Sequence, residues 1–83
     1  MRTEDLLTFV RRRPFQPFRL TLTDGQTYEV RHPEMAMVGH SMVIIGFPRP
    51  DDPEPVFDRS TWVSLPHIMK VQLLETPATP VTN

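Results

Sequence analysis

The chain has 83 residues, no cysteine, ten prolines and a formal net charge of −1 at pH 7. This length allows one small domain, and the lack of cysteine excludes disulfides, thiolate metal sites and a catalytic thiol. Ten prolines exclude an all-helical fold, because each proline in a helix interior costs about 3 kcal/mol. The near-zero charge gives no overall field that would recruit nucleic acid or an anionic membrane.

The N-terminal segment predicts a short helix over residues 3–13. Two acidic residues follow its start, where the helix dipole favours negative charge, and Leu6, Phe9 and Val10 fall on one face. Pro14 ends the helix, because the residue before a proline disfavours helical geometry.

Alternating apolar residues on either side of Asp24 and Gly25 predict a β-hairpin. A two-residue loop would place Leu20 opposite the charged Glu29, whereas a three-residue loop places it opposite Tyr28. Cross-strand partners share a face of the sheet, so the three-residue loop is the better match. We therefore expect a type I turn in which Gly25 adopts a left-handed conformation and forms a bulge.

The rest of the chain predicts further strands, separated by turns and by an acidic, proline-rich loop at 48–55. His32 and Pro33 are expected to form a structural turn that interrupts the second strand, because proline cannot donate to a strand ladder. The extended segments are 35–38, which continues the second strand, 42–45, which is apolar on both faces and therefore central, 56–63, and 69–73.

These elements predict a mainly β fold of the α+β class: a short N-terminal helix, then a five-stranded, strongly bent antiparallel sheet or a small SH3-like or Sm-like barrel. One domain is expected over residues 1–75, with a flexible tail over 76–83. No apolar run approaches the ~20 residues of a membrane span, and the start of the chain lacks a signal-peptide apolar block. We therefore expect a cytoplasmic protein that does not enter the membrane.

Residues 14–34 also carry a recognisable pattern: Pro-Phe-x-Pro-Phe, a strand, Asp-Gly, an aromatic-x-Val strand, and His-Pro-Glu. The chain resembles, over about residues 3–75, an uncharacterised family of short bacterial proteins that is common in planctomycetes. The resemblance implies the same small β fold and carries no activity with it. The residues that match the pattern are Pro14, Phe15, Pro17, Phe18, Asp24, Gly25, Tyr28, Val30, His32, Pro33 and Glu34.

Five arginines are candidates for binding nucleic acid: Arg11, Arg12, Arg13, Arg19 and Arg31. The first three end the predicted helix, and the other two lie on the outer face of the predicted hairpin. Basic residues in a last helical turn commonly complement the helix dipole. An acidic residue shares the hairpin face, which has no aromatic stacking platform. An Sm-like single-stranded nucleic-acid-binding protein is therefore the alternative and not the favoured interpretation.

Three histidines and Glu34 could in principle gather around a metal ion, but the spacing of His32, His40 and His67 matches no metal-binding motif. The chain has only three glycines, far apart, and nothing in it resembles a nucleophile elbow or a phosphate-binding loop. We predict no catalytic residue, no metal and no cofactor.

The remaining candidate is an apolar surface. Six residues could form an adaptable binding surface, although core packing is the simpler expectation for them: Met35, Met37, Met42, Phe47, Trp62 and Met69. So small a core has limited room, and apolar surface left over favours self-association or a protein partner. The leading hypothesis is a non-enzymatic interaction module that forms a homo-oligomer through an edge strand, either 35–38 or 56–63.

Overall fold

A computed structural model describes residues 1–49 and 56–74. One helix is followed by six strands and two single 3-10 turns. The 3-10 turns span Pro33–Met35 and Leu65–His67. The larger elements are α1 (Thr3–Val10), β1 (Phe18–Leu22), β2 (Thr27–Val30), β3 (Ala36–Val38), β4 (Met42–Pro48), β5 (Phe57–Ser64) and β6 (Ile68–Leu73).

Helix α1 is shorter than predicted: it ends at Val10 and not at residue 13. Arg11 is its C-cap, and its backbone N–H still bonds to the Leu7 carbonyl. The Arg13 guanidinium then donates hydrogen bonds to the carbonyls of Val10 at 3.1 Å and Arg12 at 2.8 Å. A side chain thus satisfies carbonyls that the end of the helix leaves without an intrahelical partner.

The β1–β2 hairpin has the predicted register. Leu20 lies opposite Tyr28 and Phe18 opposite Val30, and the Leu22 N–H donates to the Gln26 carbonyl at 2.8 Å. Gly25 has a φ of 92°, in the left-handed region. The three-residue loop is confirmed, because it alone places the apolar residues of both strands on one face.

The strands form two antiparallel three-stranded sheets, in the orders β2-β1-β6 and β3-β4-β5. β4 is the middle strand of its sheet, as its apolar sequence predicts. The 3-10 turn at Pro33–Met35 divides the expected second strand, and its two halves enter different sheets. The described residues therefore form six strands in two sheets rather than one five-stranded bent sheet.

One core lies between the two sheets and α1. Phe18, Leu6 and Ile45 have no exposed surface, and they come from a strand of each sheet and from the helix. The core contains only apolar side chains among the residues that the structure describes. Its members are Leu6, Phe18, Leu20, Leu22, Val30, Met35, Val43, Ile45, Val63, Leu65 and Ile68.

In the sequence, Met69, Val71 and Leu73 alternate with Lys70 and Gln72, which predicts that the three apolar residues share one face. Strand β6 departs from this alternation at its start. Thr21 pairs with Lys70, but the next residue, Leu22, pairs with Ile68, so Met69 is an extra residue opposite β1. Such a bulge reverses which side chain points inward. Ile68 is therefore buried and Met69 is 61% exposed.

Two predicted features fall on residues outside the described ranges. Most of the proline-rich loop at 48–55 lies there, although Pro48 itself closes β4. The predicted tail at 76–83 lies there entirely.

Gly25 gives a direct test of the hairpin. A Cβ added there would meet no atom within 4 Å, so an alanine is opposed by backbone strain alone. We expect Gly25→Ala to destabilise the fold by about 1 kcal/mol, which lowers Tm by about 4–8 °C in a domain of this size. Gly25→Asn should cost less, because asparagine tolerates the left-handed region. A Tm for Gly25→Ala equal to that of the wild type, measured by thermal denaturation, would contradict the turn geometry.

Candidate interaction surface

An apolar row crosses the outer face of the β3-β4-β5 sheet. Met37 lies opposite Ile44, and Ile44 lies opposite Trp62, so the three side chains stand side by side on adjacent strands. Their neighbours Val43 and Val63 are buried in the core on the other face. Met37 is 69% exposed and Trp62 is 66% exposed. The row is therefore a feature of the surface, and all three strands contribute to it.

The apolar character extends along the same face on both sides of the row. At Gly46 the ring of Phe57 lies over the backbone, 2.9 Å from the place a Cβ would occupy. By the alternation of the strands and this contact, the outer face of the β3-β4-β5 sheet consists of Met37, Met42, Ile44, Gly46, Phe57, Ser60, Trp62 and Ser64. None of these residues is charged, and a charge borders them at this end of β5, where the exposed bulge residue Asp58 lies beside Phe57.

A shallow groove of about 330 Å³ lies at one end of this face. Trp62 and Met42 form apolar walls, and Pro66 from the second 3-10 turn adds a third. The hydroxyl-bearing residues Ser41 and Ser64 also line it. The groove offers van der Waals contact and a few hydrogen bonds, with no ionisable group among its lining residues.

The free edge of β5 borders the outer face. The Leu65 N–H donates to the Ser41 carbonyl at 2.9 Å, which makes that opposed pair a hydrogen-bonded one. Antiparallel ladders alternate such pairs with non-bonded ones, so Val63 and Thr61 also bond toward β4. The N–H and C=O groups of the residues between them point away from β4. These residues are Ser60, Trp62 and Ser64.

No strand of the described chain pairs with this edge of β5. The edge is long for so small a domain, because β5 has eight residues. Its charged residues, Asp58 and Arg59, and its bulge are confined to the start of the strand, where they are features that protect an edge. From Ser60 onward the outward backbone groups belong to two serines and a tryptophan. β5 therefore has the properties of an edge that accepts another strand.

The other candidate edge, β3, is less suited to pairing. It has three residues, and α1 is anchored beside its end. The Thr3 hydroxyl donates to the carbonyl of Gly39 at 2.9 Å and also lies 3.0 Å from that of His40. Of the two segments singled out by the sequence, 56–63 provides the longer and less obstructed edge.

The expectation that the methionines and Trp62 pack in the core is wrong for half of the six residues. Met35 is buried, and Phe47 and Met42 are half-buried. Met37, Trp62 and Met69 are exposed. The signal was present in the sequence for Trp62, since it alternates with Val63. For Met37 it was hidden, because both neighbours of that residue are apolar too.

Arg19 and Arg31 are brought together by an acidic residue between them. Arg19 donates to one carboxylate oxygen of Glu29 at 2.9 Å, and Arg31 donates to the other at 2.7 Å. These two hydrogen bonds lower the pKa of Glu29 below its ordinary value, and the bond from Arg19 has the larger effect. The two guanidinium groups are thus partly engaged within the hairpin.

The three consecutive arginines point to different partners. Arg12 donates to the Gln16 side chain at 2.7 Å and lies over the ring of Phe9, 5.7 Å from its centroid. Arg13 bonds to backbone carbonyls at the end of α1. Arg11 is exposed and lines a second shallow hollow on α1. The three arginines therefore make separate contacts near the end of α1 and do not form one continuous basic patch.

The three histidines lie on separate parts of the fold. His32 precedes the first 3-10 turn, His40 lies between β3 and β4, and His67 belongs to the second 3-10 turn. Within residues 1–49 and 56–74, no three histidine or acidic side chains are grouped so that they could hold a metal ion.

Comparisons with protein-family models, with curated proteins and with solved structures find no match for this chain. The resemblance noted from the sequence therefore stays a prediction. In the part of the chain that the structure describes, no helix has the length and apolar character that crossing a membrane requires.

The Glu29 ion pairs predict a pH effect on stability. A carboxyl group whose pKa is lower in the folded state stabilises the fold above its unfolded pKa, and this contribution is lost as pH falls through the folded pKa. We expect the wild type to lose stability below about pH 4.5 more steeply than Glu29→Gln does. Urea denaturation at pH 7 and pH 3 measures the difference. Parallel losses in the two proteins would show that the pair contributes nothing.

Proposed function

We propose that this chain is a cytoplasmic, non-enzymatic small β-barrel module whose role is protein–protein interaction, and that it self-associates through the free edge of β5. The observation that carries the proposal is the outward backbone of Ser60, Trp62 and Ser64 beside the uncharged row of Met37, Ile44 and Trp62. An edge of this kind is a ready template for a strand of another chain.

The topology supports the barrel interpretation. β2 and β3 are consecutive in the chain and are separated by a 3-10 turn. β2 is an edge strand of the first sheet, and β3 is an edge strand of the second. A single strand bent sharply at Pro33 would have the same course, and such a strand joins the two sheets of SH3-like and Sm-like barrels. β5 and β6 are then the two free edges.

Self-pairing of β5 fits the direction of its backbone groups. If two copies align antiparallel about a twofold axis at Trp62, Trp62 lies opposite its equivalent and Ser60 lies opposite Ser64 of the other copy. Each of these positions has outward N–H and C=O groups, so all of them become hydrogen-bonded pairs. On the core side of the sheet, Thr61 of one copy lies opposite Val63 of the other. No like charges oppose each other in this register.

Nucleic-acid binding is the less well supported alternative. Its candidate hairpin arginines share Glu29, which leaves one net positive charge among three ionised groups. The exposed aromatic residue Trp62 belongs to the other sheet. The two hairpin arginines and Trp62 are therefore on different sheets, and the one arginine of β5, Arg59, lies over the ring of Phe47, 5.1 Å from its centroid.

Ser60→Pro tests the edge directly. Proline removes an outward N–H that the β4–β5 ladder does not use, so the monomer fold should tolerate it, and its ring blocks the approach of a second strand. We expect the dissociation constant of self-association to rise by at least about tenfold, equivalent to 1.4 kcal/mol, when measured by sedimentation equilibrium.

The matched control is Ser60→Ala, which removes the hydroxyl and keeps the backbone N–H. It should associate as the wild type does. Circular dichroism and Tm establish that both variants remain folded. A wild type that stays monomeric at hundreds of micromolar, or a Ser60→Pro variant that associates as tightly as Ser60→Ala, would contradict the proposal.

A further inference from the structure

We propose that the outer face of the β3-β4-β5 sheet is a second, separate interface, which packs face to face on the same face of another copy. The inference rests on the proposed function, because the partner is again this chain and the argument from contact area takes β5 pairing as given. The β5 edge uses backbone groups, whereas the face uses side chains, above all those of Met37, Ile44 and Trp62.

The chemistry of the face favours an apolar partner. Its row crosses three strands, which places Met37 and Trp62 about 10 Å apart at the usual strand spacing. With Phe57 and Met42 it forms one apolar area without a charged member. Sheets that carry such a face commonly bury it against another sheet about 10 Å away. Exposed apolar patches of this kind mark interaction sites.

The area of the β5 edge is too small to account for a stable assembly alone. In the register centred on Trp62, only Ser60–Ser64 of β5 lie opposite the same strand of the other copy. Five residues are about 17 Å long, and with a contact strip about 10 Å deep they cover about 170 Å² per copy. A standard protein–protein interface buries about 800 Å² per partner. The outer face adjoins that edge and supplies the additional buried area that a stable interface needs.

A second copy fits this face better than a charged partner does. An interface about a twofold axis requires one patch to complement itself. A patch of methionine, isoleucine, tryptophan and serine meets this condition, because no charge on it needs an opposite charge. Methionine is flexible enough to fill gaps between the two faces and makes favourable contacts with aromatic rings. A strongly acidic or basic peptide would find no counter-charge among these side chains.

Two different twofold interfaces on one chain close into an assembly of four copies with D2 symmetry when their axes are perpendicular and intersect. An axis normal to the sheet for the β5 edge and an axis within the plane of the sheet for the outer face meet the perpendicular condition. Pairing through β5 joins two sheets edge to edge and makes their outer faces continuous. Packing of two such pairs then covers all four outer faces. Trp62 is the only tryptophan of the chain, so its fluorescence reports on both contacts.

The test is sedimentation equilibrium of the wild type, three single variants and one double variant. Met37→Lys places a charge on the face, far from the β5 edge, and Met37 is 69% exposed, so the monomer should fold normally. Thr27→Lys is the matched control, with the same new side chain at an exposed position of the other sheet. Ser60→Pro disrupts the edge. Acrylamide quenching of Trp62 is recorded at each protein concentration.

We expect tetramers for the wild type and Thr27→Lys, dimers for Met37→Lys and for Ser60→Pro, and monomers for their combination. Trp62 should become less quenched as the wild type assembles. A wild-type dimer that Met37→Lys leaves intact and Ser60→Pro dissociates would overturn the face interface and leave edge pairing in place. A dimer dissociated by Met37→Lys but not by Ser60→Pro would overturn edge pairing instead. A monomeric wild type would overturn both.

Discussion

The antiparallel register of β4 and β5 is the constraint on which the rest of the structure depends. It places Val43 opposite Val63 in the core and Ile44 opposite Trp62 on the surface. Because side chains alternate along a strand, a slip of one residue would bury Trp62 and expose Val63. The same register directs the backbone groups of Thr61 and Val63 toward β4 and leaves those of Trp62 at the free edge. Fold and candidate surface thus have a common origin.

The small size of the domain explains why apolar side chains remain outside. Within residues 1–49 and 56–74 the core has eleven buried members, and a domain of this length buries only about 60–65% of its unfolded surface. Val63 and Ile45 fill the interior of their sheet, and little room remains for large residues such as Trp62. Contact with other copies would bury the surface that the monomer cannot, and would also add to a modest stability.

The sequence was sufficient where local chemistry decides the structure. The parity of Leu20 and Tyr28, together with the need of Gly25 for a positive φ, determined the hairpin register. Pro33 marked the interruption of the second strand. What the residues could not show is that the two halves of this strand enter different sheets, since that depends on contacts with strands far along the chain.

The candidate surface was harder to predict for a physical reason. A strand with apolar residues on both faces, such as β4, does not reveal which face is buried. Only the pairing of Met37 with Ile44, and of Ile44 with Trp62, assigns all three to one outer face. The bulge at Met69 is similar, because one extra residue reverses the pattern that a regular strand would follow. The exposure of this row and of Met69 therefore follows from strand register and could not be predicted from composition.

The central claim is that β5 is a docking edge, and residue-level amide hydrogen exchange as a function of protein concentration tests it most directly. The amides of Thr61 and Val63 should be protected at every concentration, because they bond to β4 within one copy. Those of Ser60, Trp62 and Ser64 should exchange rapidly in dilute protein and slowly in concentrated protein. If these three amides exchange rapidly at all concentrations, the edge of β5 is not a docking site.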